Sequence, residues 1–409
     1  MPEHKEGVVP RLRFPEFRNA EEWEVKRLGD KDVALFVRDT ATRKDLCLET
    51  YVSTENMLPD FGGVTRATSL PPSGTIRKYQ KRDILIANIR PYLNKVWQAD
   101  KAGTASNDVL VVRPSNTVDP CFLGLVLAND TFISFVMAGA KGVKMPRGDI
   151  TLIKQFPIPI PAQREEQQRI ADCLSSLDEV IEFQAQKLEA LKAHKKGLMK
   201  LLFPRKGETT PRLRFPTFRD AEEWEVKRLG EICSAFSGGT PISSRKEYYG
   251  GSIPFIRSAE INQDTTELFL TEEGLKNSSA KLVVKGDILV ALYGANSGDG
   301  ALSKIDGAIN QAILCLRSKF NHLFILDYWR LRKNEIVMRF IQGGQGNLSA
   351  EIVKSIAFAF PSLPEQQKIA DFFSSLDEII DLQAQKLEAF KTHKKGLMQQ
   401  LFPQEVGIE

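Results

Sequence analysis

At 409 residues the chain is longer than one hydrophobic core normally grows, so it divides into two or more domains. A hydrophobic share of 42% and a charged share of 26% are those of an ordinary folded protein and exclude a disordered or fibrous polymer. A net charge of +4 neither demands a polyanionic partner nor forbids one, because what decides is where the cations cluster.

No apolar run approaches the roughly 18 residues that cross a bilayer, and the charged start Met1 to Glu6 lacks the apolar stretch of a signal peptide. A cytoplasmic location is the expectation. From Pro10 to Asp30 the chain reads PRLRFPEFRNAEEWEVKRLGD, and from Pro211 to Glu231 it reads PRLRFPTFRDAEEWEVKRLGE, with three differences. Trp23 and its match Trp224 read as core anchors of this constant segment rather than as base-stacking aromatics.

The next stretch is β-rich, with runs at Ile84 to Ile89 and Asp108 to Val112 separated by Gly and Pro punctuation. Phe122 to Ala138 has the apolar spacing of a helix. Between Gly62 and Ile160 there are 13 Lys and Arg against 6 Asp and Glu, whereas the corresponding stretch of the second half is nearly balanced. Two loops in this basic stretch mix cations with amides or an aromatic: Arg90, Tyr92, Asn94 and Lys95 in RPYLNK, and Lys141, Lys144 and Arg147 in AGAKGVKMPRGD. Such groups donate to phosphates or base edges; a solvated surface, or a glycine-rich turn closing the globular fold, accounts for the same residues equally well.

A long amphipathic helix follows. Ile170, Leu174, Leu177, Ile181, Gln184, Leu188, Leu191, Lys195, Leu198 and Leu202 alternate steps of four and three, as a coiled-coil seam requires. About 38 residues at 1.5 Å each give a rod of about 57 Å. Gln184 reads as tolerated polarity in the seam, and Lys195 needs only to reach the helix flank to stay hydrated. His194, beside the seam, reads as part of a solvated face. The helix ends at Phe203-Pro204, since proline restricts the residue before it, and a short connection to Pro211 begins the second copy.

There the strands fall at Asp287 to Leu292 and Ala312 to Leu316, and a helix runs from Phe324 to Ile341. Candidate contacts are Arg245, Lys246, Tyr248 and Tyr249 in SSRKEYY, and Gln342, Gln345 and Asn347 in IQGGQGNLS. Asn and Gln suit adenine as Arg and Lys suit guanine. The second long helix repeats the seam as Ile369, Phe373, Leu376, Ile380, Gln383, Leu387, Phe390, Lys394, Leu397 and Leu401. From Glu166 to Pro204 and from Glu365 to Pro403 the two copies differ at 10 of 39 positions. Between the constant segments they share little beyond fragments such as Arg82-Asp83-Ile84-Leu85 and Gly286-Asp287-Ile288-Leu289, so frame is duplicated and contents diverge.

The reading is therefore α+β: two globular domains joined by two long antiparallel helices in a coiled coil, an internal pseudo-two-fold repeat in which Pro403 comes close to Pro10. The boundaries fall at 1–160, 161–204, 205–360 and 361–409. The five cysteines are too far apart for a zinc or redox motif and read as buried small hydrophobes. Neither a metal cluster nor a nucleophile motif is visible, and Gly343-Gly344-Gln345-Gly346 lacks the strand-to-helix context of a phosphate loop.

GGTPISSRKEYYGGSIPFIRSAEI, KGDILVALYG and GNLSAEIVKSIAFAFPSLPEQQKIADFFSSLDEIIDLQ, with the first-half relative PIPIPAQREEQQRIADCLSSLDEVI, closely resemble the specificity subunits of type I restriction-modification systems, over essentially the whole chain. The first domain lacks a good counterpart to GGTP and the YYGG loop. The resemblance implies two target-recognition domains, each reading one half of a bipartite double-stranded DNA site. It implies two modification (methyltransferase) subunits docked on the conserved helices, and restriction (motor-nuclease) subunits completing the complex. It further implies that this chain is not itself an enzyme: S-adenosylmethionine and adenine methylation belong to the modification subunit. A coiled-coil adaptor without a DNA role, or a standalone methyltransferase or nuclease, are the alternatives; the latter needs a carboxylate-metal cluster or cofactor loop that the sequence does not display.

Overall fold

The computed structural model describes residues 7–142, 144–341 and 347–403, and within them the sequence duplication is a duplication of fold. The chain separates into two compact units, Met1–Gln184 with Lys386–Glu409, and Ala185–Gln385. Each unit thus takes part of both long helices. Among the described residues no single helix is long and apolar enough to cross a membrane.

In the first unit the order is β1 (Glu24–Arg27), β2 (Ala34–Phe36), β3 (Tyr51–Val52), β4 (Ile76–Tyr79), β5 (Ile84–Ala87), β6 (Val96–Gln98), β7 (Gly103–Ser106) and β8 (Val109–Pro114). Then come α1 (Pro120–Leu127), α2 (Asp130–Ala138), α3 (Ile150–Ile153), β9 (Pro157–Ile160) and the long helix α4 (Arg164–Leu202). The sheet β2-β8-β5-β6 is antiparallel; β3-β7-β4 forms a second sheet in which β3 and β7 run parallel, and β1 pairs with β9.

The second unit repeats this with β10 (Glu225–Arg228), α5 (Leu229–Ile232), β11 (Cys233–Ser237), β12 (Tyr249–Ile256), β13 (Phe269–Leu270), α6 (Glu272–Lys276) and β14 (Lys281–Val283). There follow β15 (Ile288–Ala291), β16 (Gly300–Leu302), β17 (Gly307–Ile309), β18 (Ile313–Ser318), α7 (His322–Ile341), α8 (Ala350–Ser355), β19 (Ala357–Phe360) and the second long helix α9 (Leu363–Leu401). Its main sheet, β11-β18-β15-β16, has the order and antiparallel sense of the first, and β12 runs parallel to β17 as β3 does to β7.

Strands β5 and β15 read ILIA and ILVA and are buried on both faces, because side chains alternate across a strand. Ile84 and Ile86 pack toward the helices with Trp23, Phe122 and Leu174, while Leu85 and Ala87 face the second sheet with Val52, Tyr79 and Ala105. In the other unit Ile288 and Val290 join Trp224, Phe324 and Phe373, and Leu289 and Ala291 join Ile256 and Ile309. Both tryptophans are core anchors, as their place in the constant segment suggests.

The helical pairing is visible inside each unit. In the first, Leu397, Met398, Leu401 and Phe402 from the end of α9 pack with Ile170 and Leu174 at the start of α4; in the second, Met199, Leu202 and Phe203 from the end of α4 pack with Ile369 and Phe373 at the start of α9. End against start is an antiparallel arrangement. Leu12 N donates to Gln400 O at 2.9 Å and Leu213 N to Leu201 O at 2.9 Å, so one joint is made by residues far apart in sequence and the same joint by near neighbours.

Three expectations change. Lys195 and Lys394 do not merely reach the helix flank: Lys394 Nζ lies 2.6 Å from Asp178 Oδ1 and Lys195 Nζ 2.6 Å from Asp377 Oδ2, each tying one long helix to the other. A cation on a half-buried seam finds a partner because desolvation without one is costly. The helix expected at Phe122 to Ala138 is two, α1 and α2, since Asn129 leaves the helical conformation and accepts from Thr131 N to cap α2, whereas α7 runs unbroken. Cys47 is exposed rather than buried, Cys121 and Cys173 half-buried, and Cys233 and Cys315 buried; all five are free.

Candidate nucleic-acid interface

Two of the basic loops nominated in the first unit are brought together. Residues 88–95 join β5 to β6, and residues 139–149 join α2 to α3. Arg90 N donates to Pro146 O at 2.8 Å and Gly148 N to Asn88 O at 3.1 Å, while Lys141 and Arg147 bridge each other's backbone. A third turn closes on them, with Asp60 N donating to Leu93 O and Phe61 N to Asn94 O. Arg90 and Asn94 both adopt left-handed backbone, φ 52° and 54°, a conformation Asn tolerates better than Arg. It frames a short 3₁₀ turn, Pro91–Leu93, and leaves Tyr92 50% exposed.

The side chains divide into two kinds. Asn94 Nδ2 donates to Asp60 Oδ1 at 3.0 Å and Lys95 Nζ to Thr54 O at 2.6 Å, so both brace the turn. Arg90, Lys141, Lys144 and Arg147 are exposed. Lys141 pairs with Asp149 at 2.8 Å; that hydrogen bond raises the Lys141 pKa and, with the Thr151 and Leu152 amides, holds the Asp149 carboxyl below its usual value. Arg147 reaches Asp108 at 3.0 Å, and its side chain is 56% exposed.

In the second unit no backbone bond among the described residues joins the two nominated loops. Arg245 and Lys246 are exposed on a short 3₁₀ turn. Tyr248 is only 5% exposed and lies under the Arg245 guanidinium at 5.6 Å, which makes it a support for that cation. Tyr249 Oη donates to Pro241 O at 2.8 Å, and burial raises its pKa. Asn347 is exposed. Gln342 and Gln345 lie outside the described residues.

Sequence reading missed two features of this surface. Thr42-Arg43-Lys44-Asp45 forms a 3₁₀ turn between β2 and β3, the topological counterpart of Ser244-Arg245-Lys246-Glu247 between β11 and β12. The short motif [ST]-Arg-Lys-[DE] was the available signal. The β15–β16 turn, residues 292–299, is the counterpart of the RPYLNK loop, and the shared Asp-Ile-Leu fragment before each turn gives the alignment. It contains Asn296 and Ser297 but no cation.

Away from the β5–β6 and β15–β16 turns, at the opposite end of the same strands, the frame is held by matched ion pairs whose carboxylates are buried. Asp83 accepts from Arg113 at 2.7 Å and Asp287 from Arg317 at 2.6 Å. Burial works to raise Asp287, but Arg317 and the Val284 amide outweigh it and hold the carboxyl below its usual range. Likewise Arg13 binds Glu166 and Arg214 binds Glu365, anchoring each constant N-terminal segment to a long helix. No group of three or more His, Cys, Asp or Glu placed to hold a metal ion occurs among the described residues.

The model of the type I restriction modification DNA specificity domain matches the chain twice, at residues 20–193 and 221–392. The chain belongs to that family. Among relatives, the type I restriction enzyme MjaVIII specificity subunit of Methanocaldococcus jannaschii is 26% identical, the match covering 97% of this chain and 95% of the relative. The HindI specificity subunit of Haemophilus influenzae is 23% identical over 49% of this chain and 57% of its own. The type I specificity fold is also that of the S subunit crystal structure from M. genitalium, with TM-score 0.60 at 17% identity over 98% of this chain and 100% of that one. A chain from a structure on complex assembly and conformational transition of the type I R-M system gives 0.61 at 19% identity, covering 94% and 98%. Each family match contains the strands of one globular unit and most of one long helix, so the repeat read from the sequence is the family's own.

Proposed function

We propose that this specificity-family chain reads double-stranded DNA as a bipartite site, one half by each globular unit, and that it does so without catalytic residues of its own. The observation carrying this is the contrast inside the duplication. The frame is nearly identical in its two copies, down to matched ion pairs, while the exposed turns at the edges of the sheets are unlike one another. Two readers on one frame have that character. Cationic turns with exposed Arg and Lys donate to phosphates, and long planar side chains among them reach base edges in the major groove.

The helices α4 and α9, at 39 residues each and about 1.5 Å per residue, are about 58 Å long, longer than one turn of B-DNA at about 34–36 Å. They serve as spacer and as the docking face for two modification subunits, on which S-adenosylmethionine and the methylation chemistry reside; restriction subunits join the same assembly. The test is to sequence the methylated DNA of cells carrying this chain with its modification partner. Adenine methylation in a split, asymmetric motif is the expected result, together with DNA binding by the assembled complex that weakens steeply with salt. Methylation by the isolated chain, or an unchanged methylation pattern when the chain is deleted, would overturn the proposal.

A further inference from the structure

In the first unit the turns around residues 88, 108 and 148 are tied edge to edge: Asn88 N donates to Asp108 O at 2.8 Å and Gly148 N to Asn88 O at 3.1 Å. The same two bonds recur in the second unit between different residues, Leu292 N to Ala312 O at 2.8 Å and Leu348 N to Leu292 O at 2.9 Å. Strands β5, β6, β7 and β8 begin 204 residues before β15, β16, β17 and β18, so the turns between them match position by position. Arg90 corresponds to Gly294, Lys95 to Asp299, Asn107 to Gln311 and Asp108 to Ala312. Arg147 stands immediately before Gly148, and Asn347 stands immediately before Leu348, so these two occupy one position of the fold.

At this corner the turn cations of the first unit are lost in the second, where Lys333 of α7 pairs with Asp299. Each cation of the first unit is replaced in the second by a neutral or acidic residue, and residues 141–147 hold three cations where residues 341–347 hold none. Gln311 and Asn347 are exposed, giving the second corner an amide character. Arg147 is free to leave its partner: with side chains 56% and 39% exposed, the Arg147–Asp108 pair is worth little in water. Where Arg147 has become Asn347, Asp108 has become Ala312, so the countercharge is lost together with the charge.

Resting on the reading that each unit contacts one half-site, we infer that Arg147 and Asn347 are equivalent specificity-determining residues, Arg147 selecting a guanine in one half and Asn347 an adenine in the other. The guanidinium fork matches guanine O6 and N7, and the carboxamide matches adenine N7 and N6. Each side chain leaves the backbone one residue before an amide tied to the corner, so its starting position is held before DNA arrives.

The test uses the full chain assembled with its modification subunit, and methylation rates on duplexes carrying single-base changes. Arg147→Ala is expected to reduce discrimination at one guanine of one half-site by roughly ten- to a hundredfold, leaving the other half-site unchanged; Asn347→Ala does the same at an adenine of the other half. Arg147→Lys keeps the charge and the salt dependence but weakens the guanine preference, because an ammonium lacks the rigid planar fork that grips O6 and N7 together. Thermal unfolding of each variant at the wild-type midpoint establishes that the fold is kept, and a variant that unfolds early is replaced by the Lys or Asp substitution at that position. Undiminished discrimination in both half-sites, a uniform loss at every position, or both variants acting on the same half would overturn the assignment. A wild-type complex that methylates no bipartite motif would instead overturn the DNA-reading proposal beneath it.

Discussion

Asp327 shows how one side chain separates the two copies. It sits on α7, 3% exposed, and burial raises its pKa to about 6 despite Lys195 and Arg330, with Asp377 adding to the rise. The corresponding position on α1 is Leu125, by the matched bonds from Asp119 N to Gln167 and from Asn321 N to Gln366. A carboxyl whose folded pKa lies above its unfolded value is costliest when ionised, so stability falls as pH rises from about 4 through about 6. Asp327→Leu, which copies the first unit, is expected to stabilise the protein by about 2 kcal/mol more at pH 7.5 than near pH 4; denaturant titrations at the two pH values measure this, and an equal effect at both would contradict it. Arg13 behaves oppositely. Its removal strands buried Glu166, which also accepts from Trp23 Nε1, so Arg13→Ala should cost about 3–5 kcal/mol, and Arg214→Ala the same through Glu365, both read from urea midpoints.

On the proposed reading, the length of the long helices sets the gap between the two half-sites. The helix seam was legible in the sequence from steps of four and three, and Leu174, Leu188, Phe373 and Leu387 are indeed buried. The partners of the seam lysines were not legible, because Lys195 and Asp377 are 182 residues apart and only the antiparallel pairing joins them. Deleting one heptad from each helix, residues 181–187 and 380–386, preserves the seam and removes about 10 Å of rod. At about 3.4 Å per base pair the methylated motif should lose about three base pairs of its non-specific gap; a methylome with the original gap would show that the helices do not set it. The globular elements were partly legible. Strands β5, β8, β15 and β18 fall where apolar runs placed them, while the break between α1 and α2 depends on whether one asparagine caps, a choice that apolar spacing does not reveal.

For the whole molecule the decisive property is that the first core borrows from a distant stretch of chain what the second takes from the helix end just before it. The first unit is completed by Leu397, Met398, Leu401 and Phe402, and the same four residue types stand at Leu198, Met199, Leu202 and Phe203 at the end of the first helix. A fragment ending at residue 206 therefore carries both halves of the joint but cannot close it on itself, and is expected to form a two-fold dimer, each copy filling the other's core; a well-folded monomer in analytical ultracentrifugation would contradict this. From sequence alone came the duplication, the class of fold, the helix seams and the family, because each is written in local pattern or in identity between copies. Only the tertiary structure decided which nominated side chains are exposed and which are taken up by partners within the protein. Tyr248, Asn94 and Lys95 belong to the nominated loops yet serve the protein itself, and Arg147 and Asn347 prove equivalent only through backbone bonds between turns. Burial and equivalence of position are set by contacts between residues far apart in the chain, and no local pattern records them.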